Sequence, residues 1–441
     1  MTRKRVAGTH IAKGDFVYRH DNVPVFVEAK GSIFTDADGH RYLDAEAANG
    51  TASLGFDDSI LIEAQQKVQH LPSVPSFCET EIRLKVADRI ATALNQATGS
   101  VGKVSFELGG AQGIELALRV AKANRKASQF VVFESGYHGR SVYTAQFSAS
   151  HRYRMAMGEL RVPIVRIPFL DADTARRWPQ ERTKAIERLK NQLTLEGYGI
   201  VAKNSPDIVA LMIEPLQNAG GIVRPDEEFL KTAVDLFRAK GALIIVDEIF
   251  CGWYRTGTKF GFERLGIRPD IVVMSKALTN GVTPLSCVWA VDPLCSSENF
   301  PPGSHSATFV NNPLALAVAD TVIDRYERWT NVTKDVQALE KKLDSLVKKI
   351  VRSSKYAVSG YAVGGTARIL LTGAIASPIL DIARVIAREN PYKNVHGLIL
   401  ASTGMAPNVI ALNPPLTISA EEMDILEELL SRTFAEADRS L

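Results

Sequence analysis

Cysteine is scarce in this chain, and so is net charge. The 441 residues include four cysteines, Cys78, Cys251, Cys287 and Cys295, and no two of them share a CxxC spacing. That argues against a disulfide framework or a zinc site, so no metal is expected, and it fits reduced thiols in a cytoplasmic protein. Lys and Arg total 52 against 49 Asp and Glu, a net charge of +3. No charged face is implied for nucleic acid or for a membrane surface. The longest uninterrupted apolar run is six residues, far short of the roughly 20 that a spanning helix needs. The opening MTRKRVAGTH is basic, but no apolar stretch follows it as in a secretory signal. Internal repeats and low-complexity tracts are absent as well.

What is present is a globular composition, 46% apolar and 23% charged. The length exceeds one ordinary domain and predicts two or three. Residues 25–45 read as short strands around a turn at Asp38-Gly39. From about 60 to 315, helical stretches alternate with short apolar segments. The segment 226–240 places Phe229, Ala233, Leu236 and Phe237 on one helical face. Three runs, 208–215, 242–250 and 270–277, are apolar and turn polar at their ends, as strands buried on both faces of a parallel sheet do. The pattern predicts an α/β domain with a mostly parallel sheet sandwiched by helices. Ligands of such sheets bind beyond the carboxyl ends of the strands, where Glu214, Asp247 and Lys276 fall. The polar segment 171–205 is a surface excursion with one helix, 184–195. Helices follow at 313–328, 333–350 and 420–436, the last opened by a Ser419/Glu422 capping box, with a strand near 366–371. The chain is thus expected to divide into an N-terminal segment (1–60) packing with the small domain, a large domain (61–315) and a smaller α+β C-terminal domain (316–441).

Lys276 stands at the mouth of a buried strand. Partial desolvation there lowers an amine's pKa and makes it nucleophilic, as Schiff-base chemistry requires. A lysine that snorkels out of the sheet is the plainer alternative. Asp247 ends a neighbouring strand and needs a cationic partner. That partner is either a structural arginine such as Arg255 or a protonated pyridine nitrogen, whose charge makes pyridoxal phosphate (PLP) an electron sink. LGGAQG (108–113) opens a helical stretch and offers free N–H groups to a phosphate. Its spacing is neither GxGxxG nor a P-loop, and such turns often only join strand to helix. Tyr137, in the Tyr137-His138-Gly139 exit of another strand, could stack on a flat cofactor or simply anchor a loop. Arg140 could fork onto a substrate carboxylate or be solvated.

Together these residues resemble the class III (ω-type) aminotransferases of PLP fold type I, from about residue 25 to the end. The stretch IIVDEIFCGWYRTGTKFGFERLGIRPDIVVMSKALTNGVTPLS carries the likeness: D-E, R-T-G, P-D with an apolar run before S-K-A-L, then a glycine and P-L. The resemblance implies PLP bound as a Schiff base on Lys276, which would also shuttle the substrate proton. Asp247 would pair with the pyridinium nitrogen, and Ile249 and Tyr137 would cover the two faces of the ring. His138 would also line the cofactor site, and Gly110 and Ala111 would hold the phosphate. HSATFVNNP (305–313) implies that Thr308 reaches the phosphate of a partner subunit, hence a homodimer with active sites at the interface. Glu214, in IEPLQNAGG, would orient the substrate side.

Four positions depart from that pattern. Gly109 stands where a serine or threonine is usual, and Gln112 where an acid is. Phe250 replaces a common glutamine, although Phe250-Cys251-Gly252 matches members resembling ω-transaminases. Ala411, before P-P-L, stands where many members carry an arginine for a substrate carboxylate. The expected reaction is amino-group transfer from an amine or amino acid to a ketone or aldehyde. A PLP-dependent racemase or epimerase of the same fold is the alternative, and Ala411 suits one acting on an amine-bearing carbon without a carboxylate. A non-catalytic PLP-fold module has both Lys276 and Asp247 against it. A nicotinamide dehydrogenase has the glycine spacing against it.

Overall fold

The computed structural model describes residues 23–441 except 72, 76, 156–157, 159, 196, 198–199, 203–204 and 404. At its centre is a seven-stranded sheet in the order Gly102–Glu107, Ser286–Val291, Ile271–Met274, Leu243–Asp247, Ile208–Ile213, Gln129–Phe133, Ile164–Ile167. Ser286–Val291 runs antiparallel to both its neighbours, and the other pairings are parallel. The three runs singled out in the sequence lie side by side in the middle. Every residue of Ile208–Ile213 and Ile271–Met274 is buried. Their side chains alternate between two apolar layers: Ile244 and Val246 join one cluster, Ile245 and Val273 the other. With helices on both faces, no position along these strands needs to be polar until the edge is reached. Val246 pairs with Ile213, and Asp247 with Val273. Glu214, Asp247 and Lys276 therefore leave the sheet along one edge.

The predicted helix at 226–240 is Glu227–Ala239, capped by Asp226, whose side chain accepts the Phe229 N–H at 2.9 Å. The helix expected at 184–195 starts earlier, as Pro179–Gln192. Those expected at 313–328 and 333–350 are Pro313–Arg328 and Val332–Ser353. The last helix, Ala420–Ser440, keeps the capping box and runs past residue 436. Its last three residues, 438–440, are polar, so apolar patterning does not mark its end.

Among the described residues, two four-stranded sheets and a short two-stranded one, Val201–Ala202 with Ser205–Pro206, accompany the central sheet. Phe26–Lys30, Ile33–Asp36 and Arg41–Asp44 form an antiparallel meander, and Arg41–Asp44 also pairs, in parallel, with Gly397–Ile399. Ala357–Val363, Thr366–Leu371, Val409–Leu412 and Ala401–Ser402 form an antiparallel sheet. Among the described residues no helix is long and apolar enough to cross a membrane.

Candidate active site

Asp247 is the last residue of its strand and is 5% exposed. Its Oδ1 accepts the Ile249 N–H at 3.1 Å, and its Oδ2 lies 2.9 Å from His138 Nδ1. His138 is 2% exposed. Its own N–H donates to Ser148 Oγ at 3.0 Å, and Ser148 Oγ donates to Gly139 O at 2.8 Å. Burial opposes charging of the His138 ring. The Asp247 hydrogen bond and the charge of Glu214 outweigh it, and the ring's pKa lies above its ordinary value.

Arg255, the structural partner considered for Asp247, is engaged elsewhere. It is fully buried and donates to Gly365 O at 2.9 Å, Pro414 O at 2.7 Å and Ser53 Oγ at 2.9 Å. Burial lowers its pKa to about 10. The R-T-G arginine thus ties the C-terminal sheet to the N-terminal segment and leaves Asp247 to His138.

Glu214 follows Ile208–Ile213, and its Oε1 accepts the Tyr137 N–H at 2.8 Å. Burial pushes its carboxyl up to about 7 against the pull of His138. The Tyr137 ring meets Tyr153 edge-on, with centroids 5.4 Å apart. The Arg140 guanidinium lies 4.5 Å from the Tyr153 ring centre and 5.7 Å from that of Tyr137.

Helix Gly110–Asn124 opens at the same edge. Gly109 precedes it in extended conformation, and no side chain caps it. The N–H groups of its first turn have no intrahelical partner and carry the positive end of the helix dipole. Ser286 Oγ donates to Gly109 O at 2.9 Å, fixing this turn to the antiparallel strand. A Cβ on Gly110 would lie 3.1 Å from Ile249 Cδ1, and one on Gly139 would lie 2.9 Å from Ala111 Cβ. The turn therefore packs on both the Asp247-Ile249 exit and the Tyr137-Gly139 exit.

Lys276 sits two residues past Ile271–Met274 with φ +46°. A left-handed lysine costs about 1–2 kcal/mol and is held by its loop. Ser275 Oγ donates to Leu285 O at 2.7 Å. Asn280 accepts the Leu54 N–H and donates to Gly55 O, both at 2.8 Å. Lys276 Nζ is 5.1 Å from the centre of the Phe250 ring. Burial lowers its pKa despite the nearby acids Glu46, Asp247 and Glu214.

The structure thus gathers Lys276, Asp247, His138, Glu214, Tyr137, Ile249, Gly110 and Ala111 at one edge. Arg140 is exposed beside them, on the two tyrosines. Thr308 is exposed, in a loop pinned by His305 Nε2 to Phe106 O at 2.9 Å and by Asn311 Nδ2 to Cys78 O at 2.9 Å. Two residues went unnoticed in the sequence, Glu46 and Asn280. Glu46 directly follows a recognised stretch and Asn280 lies within one, but only contacts across the fold mark them.

The donor set suits PLP. A Cβ at Gly110 or Gly139 would fill the cradle between the turn and the strand exits. The uncapped first turn offers N–H groups to a phosphate. Asp247 is a carboxylate kept close to solvent-free, and Lys276 is an amine of lowered pKa.

The sequence profile of the Aminotransferase class-III family matches residues 17–434. The chain is 29% identical to the 2-aminoadipate transaminase of Pseudomonas putida, over 90% of this chain and 93% of that protein. It is 27% identical to the diaminobutyrate–2-oxoglutarate transaminase of Bordetella parapertussis, over 94% and 91%. Among solved structures, an (S)-enantioselective ω-transaminase from Thermomicrobium roseum superposes with a TM-score of 0.82 at 24% identity, over 98% of this chain and 96% of that one. An amine transaminase from an uncultivated Pseudomonas species, solved with PLP bound, superposes with 0.81 at 23% identity, over 97% and 98%. These likenesses do not favour the epimerase alternative. The profile match spans nearly the whole chain, which belongs to the class-III aminotransferases, the PLP-dependent enzymes that transfer amino groups.

Proposed function

We propose that PLP is held at this edge as a Schiff base on Lys276, with its ring nitrogen toward Asp247 and its phosphate toward the Gly110 and Ala111 N–H groups. Bound there, it supplies an electron sink for the carbon that carries the substrate's amino group. The observation that carries this reading is the pairing of Asp247 with His138 beside the Lys276 strand. It keeps an oriented, buried carboxyl group where a pyridinium needs one.

Each residue then has a task. Lys276 Nζ, its charge disfavoured by burial, forms the covalent link and afterwards carries the proton removed from the substrate carbon. Asp247 faces the ring nitrogen, with the Ile249 N–H and His138 holding its two oxygens in place. Ile249 and Tyr137 flank the ring. Glu214 holds the Tyr137 backbone and borders the substrate side. Arg140 is a candidate for a substrate carboxylate. An amine or amino acid is the donor, and a ketone or aldehyde the acceptor.

Thr308 is exposed on its own chain, which supports a homodimer in which it serves a second copy's phosphate site. The free cysteines, two of them buried, support a reducing, cytoplasmic setting. The pairing of Arg41–Asp44 with Gly397–Ile399 supports the division at 60 and 315 with the N-terminal segment on the small domain.

Borohydride reduction of the PLP-loaded protein, followed by peptide mass mapping, is expected to find the cofactor's mass on Lys276 and to lose it in Lys276→Ala. A single turnover with an amine donor alone is expected to release one carbonyl product per site. Label on another lysine defeats the site assignment. Loss of deuterium from the substrate carbon with inversion and no carbonyl product defeats transfer.

A further inference from the structure

An acid on the substrate side has no role in the scheme above. Residues 47–50 have four successive positive φ values, +49°, +50°, +62° and +73°, and only the last is glycine. Left-handed backbone is unfavourable for each non-glycine residue there, so the turn persists because its surroundings fix it. Asp44 Oδ1 accepts the N–H groups of Glu46 at 2.8 Å and Ala47 at 3.0 Å. Ala45 O accepts the Asn413 N–H at 2.6 Å. Glu46 Oε2 accepts the Asn49 N–H. Glu46 is left half-buried, with Oε1 unbonded among the described residues.

The turn leads to the lysine. A Cβ on Gly50 would lie 2.7 Å from Phe250 Cε2, and the Phe250 ring centre is 5.1 Å from Lys276 Nζ. Glu46 is the acid whose charge bears most on Lys276. Burial, opposed by the Asn49 hydrogen bond, holds its own carboxyl up at about 7.

Among the described residues, the cations that act on Glu46 are Lys276, which the cofactor would take, and Arg255. Ala411 packs with Phe250, Leu216 and Tyr361 in one apolar cluster. Arg368 stands directly across the sheet from Ala411, but it donates to Gly221 O and its guanidinium lies 4.9 Å from the Tyr361 ring centre. Arg255 is bound to Ser53, Gly365 and Pro414. Two of the departures from the family pattern, Phe250 and Ala411, thus belong to one apolar cluster, and Phe250 packs on the turn that carries Glu46.

We propose that Glu46 is a specificity residue of the amine site, whose Oε1 receives a second cationic group of the donor, an ammonium remote from the reacting carbon. This rests on amino-group transfer at Lys276. An anion at the same place meets a carboxylate and an apolar cluster and loses its hydration without a partner.

The test uses the PLP-loaded enzyme with 1,4-diaminobutane, butylamine and 4-aminobutyrate, which differ only in the distal group. The readouts are carbonyl product and the apparent Kd from spectral titration of the bound cofactor. The wild type is expected to favour the diamine. In Glu46→Gln, which keeps an acceptor for the Asn49 N–H, the ratio of kcat/KM for diaminobutane over butylamine should fall about tenfold or more, mainly through KM. That is the effect of losing one charge-assisted hydrogen bond. Glu46→Asp should retain part of the preference. An unchanged ratio in Glu46→Gln, with the Lys276 label intact, overturns the role of Glu46 and leaves the transaminase reading standing. If Glu46→Gln does not hold PLP, the wild type decides: equal use of diaminobutane and 4-aminobutyrate overturns it. If neither these amines nor an amino-acid donor yields a carbonyl product, transfer itself fails and the role of Glu46 with it.

Discussion

His138 Nδ1 and Asp247 Oδ2 lie 2.9 Å apart, and neither residue is open to solvent. The imidazole fixes the carboxylate's orientation, and its backbone is fixed in turn by Ser148. His138→Ala leaves Oδ2 buried without that partner. A hydrogen bond to a charged group is worth about 1.5–3 kcal/mol, so PLP should bind roughly 10- to 100-fold more weakly. Titration of the apoprotein with PLP, followed by absorbance, measures this. A change under about twofold means that His138 only packs.

Gly50 and Phe250 should behave as a coupled pair. Gly50→Ala meets both a positive φ and a Cβ contact of 2.7 Å. A cost of about 2–4 kcal/mol is expected, from the left-handed backbone and the overpacking together. Adding Phe250→Leu should recover the overpacking part but not the backbone part. Urea unfolding midpoints of the two single variants and the double variant give the coupling. Strict additivity argues against the contact.

Glu248 sets a pH dependence of stability. Its Oε1 and Oε2 accept the Phe262 and Gly261 N–H groups at 2.8 and 2.9 Å, and burial still pushes its carboxyl from 4.5 up to about 8. The folded state keeps this proton at pH values where the unfolded chain has lost it. The contribution is therefore full below about pH 4.5 and disappears as pH rises through 8. The loss is on the order of a few kcal/mol. Glu214 and His138 are shifted upward as well and act with the same sign. Urea midpoints between pH 5 and 8 should thus fall with pH, and Glu248→Gln should make the slope shallower without removing it. A slope unaltered by that change rules out Glu248 as a contributor.

The sheet was legible because Ile208–Ile213 and Ile271–Met274 are apolar at every position, a pattern that only strands covered on both faces require. Asp247 stood out as the first polar residue after such a run, and Lys276 as the first charged one. The reversed strand Ser286–Val291 did not, since strand direction leaves no mark on a buried apolar segment. The partner of Asp247 was illegible for a different reason. Arg255 is near in sequence, but its loop carries it to Gly365 and Pro414, while His138 arrives from a distant strand exit. Glu46 sits in DAEAANG, an unremarkable stretch whose four left-handed residues are imposed by Asp44 and Asn413 rather than by local preference.

The parallel pairing of Arg41–Asp44 with Gly397–Ile399 bears on the order in which the protein is made. The ribosome releases residues 41–50 early, yet Ala45 N–H bonds Ile399 O, and Ala45 O accepts the Asn413 N–H. A nascent chain that has passed Val291 can assemble the central strands and their cofactor edge. The turn carrying Glu46 and Gly50 still lacks its supports at that moment. Its beginning waits for its end, and the face that meets the substrate is the last part of the molecule to close.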